Sequence, residues 1–66
     1  MRLTVNGEPT EVAAEATVGE LLERLDLPHR GIAVAVDREV VPRGAWDSTA
    51  LTEGARVEVV HAVQGG

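Results

Sequence analysis

Thr17-Val18-Gly19-Glu20-Leu21-Leu22-Glu23-Arg24-Leu25, TVGELLERL in one-letter code, is the stretch on which the fold turns. Thr17 and Glu20 have the spacing of a capping box. The threonine hydroxyl can accept the backbone N–H three residues on, while the glutamate reaches back to the cap's own N–H. Val18, Leu21, Leu22 and Leu25 then fall at i, i+3, i+4 and i+7, one apolar stripe, with Glu20, Glu23, Arg24 and Asp26 turned to water. The pattern predicts a helix that begins after Thr17 and buries its leucines. Leu27-Pro28 predicts its end, because the residue before a proline is pushed out of the α region.

Outward from this helix the period changes to two. Upstream, Leu3 and Val5 alternate with Arg2, Thr4 and Asn6, the mark of a strand with one buried face. Asn6-Gly7 tolerates the positive φ of a tight hairpin turn, and PTEVAA (residues 9–14) follows as the partner strand with Val12 inward. Downstream, GIAVAV (31–36) is a nearly continuous apolar run that predicts an interior strand, and Asp37-Arg38 predicts a tight turn into a short strand closed by Pro42. RGAWDSTAL (43–51) has no sustained period and reads as a surface connection with one helical turn, anchored by Trp46 and Leu51. Glu53-Gly54 makes a turn, and RVEVVHAV (56–63) is the last strand, Val57 and Val59 inward, Arg56 and Glu58 outward.

The order strand, strand, helix, strand, strand, strand offers too few crossover helices for a parallel α/β sheet, so the class is α+β. With one main helix, one sheet face packs on the leucine stripe and the other meets solvent or a partner. Residues 1–62 form the domain and 63–66 a loose tail, because two glycines at a terminus cost much entropy to order.

Sixty-six residues are enough for one small core and too few for two domains. With no cysteine there is neither a disulfide framework nor a thiolate metal site. Eleven acidic against 6 basic residues, a net charge of -5, repel a phosphate backbone and disfavour nucleic-acid binding. All the basic residues are arginine, so the only amine is the N-terminus. No stretch approaches a membrane span and the opening residues lack a signal-peptide run, which makes the cytoplasm the expected location.

Catalysis finds few candidates. His29 and His61 read as ordinary surface or edge histidines, and the carboxylates are spread along the chain rather than gathered at ligand spacing, so no metal is expected. The glycines at 7, 19, 31, 44 and 54 read as isolated turn, cap and connection residues, not as a phosphate loop. What remains is the carboxylate of Gly66, ionised at neutral pH and a competent oxygen nucleophile. Without a Cβ, Gly65 and Gly66 can thread a narrow channel, and four extended residues reach roughly 13 Å beyond the strand. Gln64 belongs to this tail. Val60 and Ala62 alternate with the inward positions of the last strand and, with Val63, are the candidate surface for docking a partner.

The sequence resembles the ThiS family of sulfur carriers of thiamine biosynthesis, within the ubiquitin-like β-grasp group. The resemblance spans the chain: LTVNGE, TVGELLERL, VAVDREVVPRGAW, LTEGARVEVV and the terminal Gly65-Gly66. Its specific part is Val41, Pro42, Arg43 and Trp46 together with the glycine pair. Two positions depart from the family pattern, Ala55 where aspartate is usual and Asp37 where asparagine is common.

The resemblance implies a five-stranded mixed sheet packed on one helix. It also implies a chain that is substrate and carrier, not enzyme, and that binds no cofactor. In such a cycle a ThiF-type, E1-like enzyme using ATP and magnesium adenylates Gly66. Sulfur from a cysteine desulfurase or similar donor converts it to a thiocarboxylate, which serves thiazole synthase, ThiG. The alternatives are a MoaD-type carrier of molybdopterin synthesis, a protein modifier joined to lysines of targets, and an interaction module with an inert tail. A monomer is expected.

Overall fold

The computed structural model describes residues 1–61. Five strands and one α-helix follow in the order β1 (Arg2–Val5), β2 (Glu8–Glu11), α1 (Val18–Arg24), β3 (Ile32–Val36), β4 (Glu39–Val41), a 3₁₀ segment (Arg43–Ser48) and β5 (Arg56–His61). They build one sheet in the spatial order β2-β1-β5-β3-β4. The last strand therefore lies at the centre, parallel to β1 and antiparallel to β3.

Both hairpins close on two-residue turns with positive φ throughout, 51° and 85° at Asn6-Gly7 and 50° and 74° at Asp37-Arg38. These are the angles of the type I′ turn, whose twist matches that of the flanking strands. Asp37 also reaches the start of β5: its N–H donates to the Arg56 carbonyl at 2.8 Å and its Oδ1 accepts the Arg56 N–H at 3.0 Å. That second bond needs only an acceptor, so aspartate serves where asparagine is common. Pro9 sits in β2, an edge strand, the one place in a sheet where a missing N–H is tolerated.

The capping box forms as the spacing predicts, with the Thr17 N–H to Glu20 Oε1 at 2.9 Å and the Glu20 N–H to Thr17 Oγ1 at 3.2 Å. The helix, however, stops at Arg24, before the proline, and Leu25 is its C-cap. Asp26 takes φ 58°, its N–H donates to the Glu23 carbonyl, and the Leu27 N–H donates to the Leu22 carbonyl at 2.9 Å. This is a Schellman motif, with aspartate in the left-handed position that glycine usually fills. Pro28 follows a helix that has already ended.

Val18, Leu21 and Leu22 are completely buried against Leu3, Val34, Val57 and Val59 of the sheet, and Leu25 is partly buried at the margin. Seven residues would not hold a helix alone in water, so the cap and this apolar contact sustain it. Val12 is buried as expected but lies one residue beyond the end of β2. β3 is interior to the sheet, yet only its helix side is covered: Val34 is buried while Ala33 faces out.

Residues 43–48 make two turns of 3₁₀ helix rather than the single turn the sequence suggests. Trp46, 4% exposed, closes the core beneath them and donates Nε1–H to the Val41 carbonyl at 2.9 Å. The segment then straps the start of α1, with the Val18 N–H bonded to the Thr49 carbonyl and the Leu51 N–H to the Ala16 carbonyl. Gly19 is buried in that first helical turn, where a Cβ would collide with the Asp47 carboxylate. It is a close-packing glycine, not a loose connection.

Candidate functional site

Alternation along β5 sends Val57 and Val59 into the core and Val60 to the far face, where it remains 58% exposed. Pairing sets its neighbours. Ala33 lies opposite Val60, Ala35 opposite both Glu58 and Val40, and Val40 is 73% exposed. Val40 and Val60 are the exposed large hydrophobic residues among the described ones. Small side chains on β3 leave a shallow trough of about 190 Å³ between them, lined by Ala33, Ala35, Val40, Glu58 and Val60. The lining is apolar apart from Glu58.

Of the residues singled out in the sequence, Val60 stands in this patch. Ala62, Val63, Gln64, Gly65 and Gly66 lie outside the described residues. Val40, Ala33 and Ala35 belong to the face and are not singled out by periodicity within one strand, because only the hairpin register brings them beside Val60. Trp46 belongs to the core, and its ring meets His29 edge-on at 5.9 Å between centroids. His61 is exposed at the end of β5, opposite Ile32.

The end of β5 has a second anchor. On the β1 side the backbone ladder finishes when the Asn6 N–H donates to the Val57 carbonyl at 2.8 Å, and the chain then turns away through Gly7. The Asn6 carboxamide continues where the backbone leaves off. Its Oδ1 accepts the Val59 N–H at 2.9 Å and its Nδ2 donates to the Val59 carbonyl at 3.1 Å.

Elsewhere the surface offers little chemistry. A cleft of about 410 Å³ runs between β4 and residues 49–52, and another of about 430 Å³ between the chain after β2 and α1. In the second, Arg24 is already committed to the Glu11 carbonyl at 2.7 Å. Among the described residues no polar or charged side chain is buried, and no cluster of three His, Asp or Glu could hold a metal ion. No described helix is long and apolar enough to cross a membrane.

A five-stranded mixed sheet grasping one helix, with an apolar outer patch on its central strand, defines the ubiquitin-like β-grasp class. The comparisons narrow the class. The ThiS family model matches residues 3–66. The sulfur carrier protein ThiS of Escherichia coli K12 is 33% identical over 66 residues, the full length of both chains. The crystal structure of the thiamine biosynthesis protein ThiS from Geobacter metallireducens superposes with a TM-score of 0.87 at 38% identity, again over the whole of both chains. A thiazole synthase of Paramagnetospirillum magneticum is 35% identical over all 66 residues, which make up 20% of that larger protein. The chain belongs to the ThiS family.

Proposed function

We infer that this chain, a ThiS-family sulfur carrier of thiamine biosynthesis, carries its sulfur on the carboxylate of Gly66 and is worked upon by its partners rather than acting as a catalyst. The reading rests above all on β5. The strand that leads toward Gly66 is held at the centre of the sheet and carries an exposed apolar residue, Val60, on its outer face. Such a layout suits a cargo-bearing substrate.

The chemistry needs two steps at one carboxyl group. The Gly66 carboxylate attacks the α-phosphorus of ATP, held with magnesium by a ThiF-type enzyme, and pyrophosphate leaves. Sulfide, released by a thiol reductant from the persulfide of a cysteine desulfurase or similar donor, then attacks the acyl carbonyl, and AMP departs, leaving the thiocarboxylate. The chain itself binds no cofactor. Thiazole synthase is the acceptor, and the thiazole synthases that contain a region similar to this whole chain support that link. Val60, with Val40 and the small residues between them, docks the activating enzyme, and Ala62 and Val63 extend the same surface toward the tail. The setting is the cytoplasm.

Intact-protein mass spectrometry after incubation with ATP, a ThiF-type enzyme and a sulfide source tests this reading. The expected result is a gain equal to exchanging one oxygen for sulfur, mapped to Gly66. Deleting Gly66 abolishes the gain and leaves the melting temperature unchanged, since the buried core runs from Leu3 to Val59. No gain with a demonstrably active enzyme, or conjugates to lysines of other proteins, would overturn it.

A further inference from the structure

β5 outruns its neighbour. β1 ends at Val5, paired with Val57, whereas β5 continues through His61. Over that extension β3 holds one side, opposite residues 59, 60 and 61. On the other side no strand remains, and without a substitute the N–H and C=O of Val59 would be left without a protein partner, a costly arrangement for a residue only 7% exposed. The Asn6 carboxamide supplies that substitute, accepting the one and donating to the other as a strand backbone would. A primary amide does both at once through two separate atoms, whereas a carboxylate accepts but cannot donate, and an aliphatic group does neither. The position must also sit at φ 51° in the hairpin turn, which asparagine tolerates better than most residues. One residue meets both demands, across 53 positions of sequence.

We propose that Asn6 is a positioning residue for the chemistry at Gly66: its carboxamide fixes the end of β5, and so sets the direction in which the last residues enter the activating enzyme. The proposal rests on the carrier reading above and names a residue through which this chain controls it. Val59 lies next to Val60, so the grip acts at the edge of the proposed docking face. A strand end held by β3 alone would fray and spread the reactive carboxylate over many orientations, most of them unproductive.

The test uses the full chain with Asn6→Gly, which keeps the turn's positive φ and removes the carboxamide, and Asn6→Asp, which keeps the acceptor for the Val59 N–H. Hydrogen exchange of the Val59 amide is expected to quicken about tenfold or more in Asn6→Gly and to regain most of its protection in Asn6→Asp, as loss and partial return of a paired amide require. The exchange of Leu22, in the core, stays within about twofold. Sulfur transfer with a ThiF-type enzyme, ATP and sulfide is expected to show kcat reduced about tenfold in Asn6→Gly with KM within about twofold, because the docking face is untouched. Thr17→Ala, a destabilising change remote from β5, lowers the melting temperature without moving kcat.

Unchanged Val59 exchange in Asn6→Gly would overturn the grip. Quickened exchange with unchanged kcat, or a kcat loss matched by Thr17→Ala at equal destabilisation, would overturn the positioning role. Failure of the unaltered chain to acquire sulfur would instead overturn the carrier chemistry on which the role depends.

Discussion

The two faces of the sheet are made by the same strands and differ residue by residue. On the helix side Leu3, Val34, Val57 and Val59 are packed against Leu21 and Leu22 until almost nothing remains accessible. On the other side Ala33, Ala35, Val40 and Val60 are also apolar, yet the two valines keep more than half of their surface in water. Burial on one side stabilises the fold, whereas exposure on the other leaves apolar area in water, the area that the proposed docking would cover. Neighbours such as Val59 and Val60 therefore have opposite surroundings, set only by the period of two.

The contrast is sharpest if a large side chain is removed from the packed face. Leu22→Ala is expected to cost about 3 kcal/mol of unfolding free energy by urea titration, the lost transfer energy plus an unfilled cavity in a small core. Activity per folded molecule stays unchanged. A cost below about 1 kcal/mol would mean the helix face is loosely packed and the comparison fails.

The reciprocal change is Val60→Asp. Stability is expected to shift by no more than about 0.5 kcal/mol, as for other exposed positions. Binding to a ThiF-type enzyme weakens about tenfold or more by calorimetry, because an apolar anchor is replaced by a charge. Normal affinity in a folded variant would remove this face from the docking surface. A large loss of stability would show that the face contributes to the fold itself.

The smallest expected effect touches neither face. Asp26→Gly at the helix C-terminus should raise stability by about 0.5 kcal/mol, since φ 58° is unstrained for glycine and the Schellman bonds are kept. A thermal melt of a few degrees higher midpoint is the readout. A lower midpoint would show that the aspartate side chain contributes more than its backbone costs.

Much of this architecture was legible in local patterns. Thr17 and Glu20 announce the helix start because both partners of the capping box lie within four residues, and Asn6-Gly7 announces a hairpin through backbone chemistry alone. The helix end was less legible, since Asp26 fills a position normally signalled by glycine and Pro28 offers a competing stop. Only one turn of the 3₁₀ segment was legible, because six residues are too few to display a period around Trp46. In the site, Val60 followed from counting outward from Val57 and Val59. Val40 did not, because its place beside Val60 depends on two strand registers together. The second role of Asn6 was hidden for a plainer reason: its partner is 53 residues away, and no local rule links a turn amide to a distant strand.

The central position of β5 also governs how the molecule is made. The β1–β2 and β3–β4 hairpins can form early, since each is local, but they share no common neighbour until Arg56–His61 has been synthesised. A nascent chain lacking that segment holds two ribbons with no strand between them. The sheet is therefore completed late, when β5 pairs with β1 and β3, and long-range closure of this kind slows folding more than the local helix or turns do.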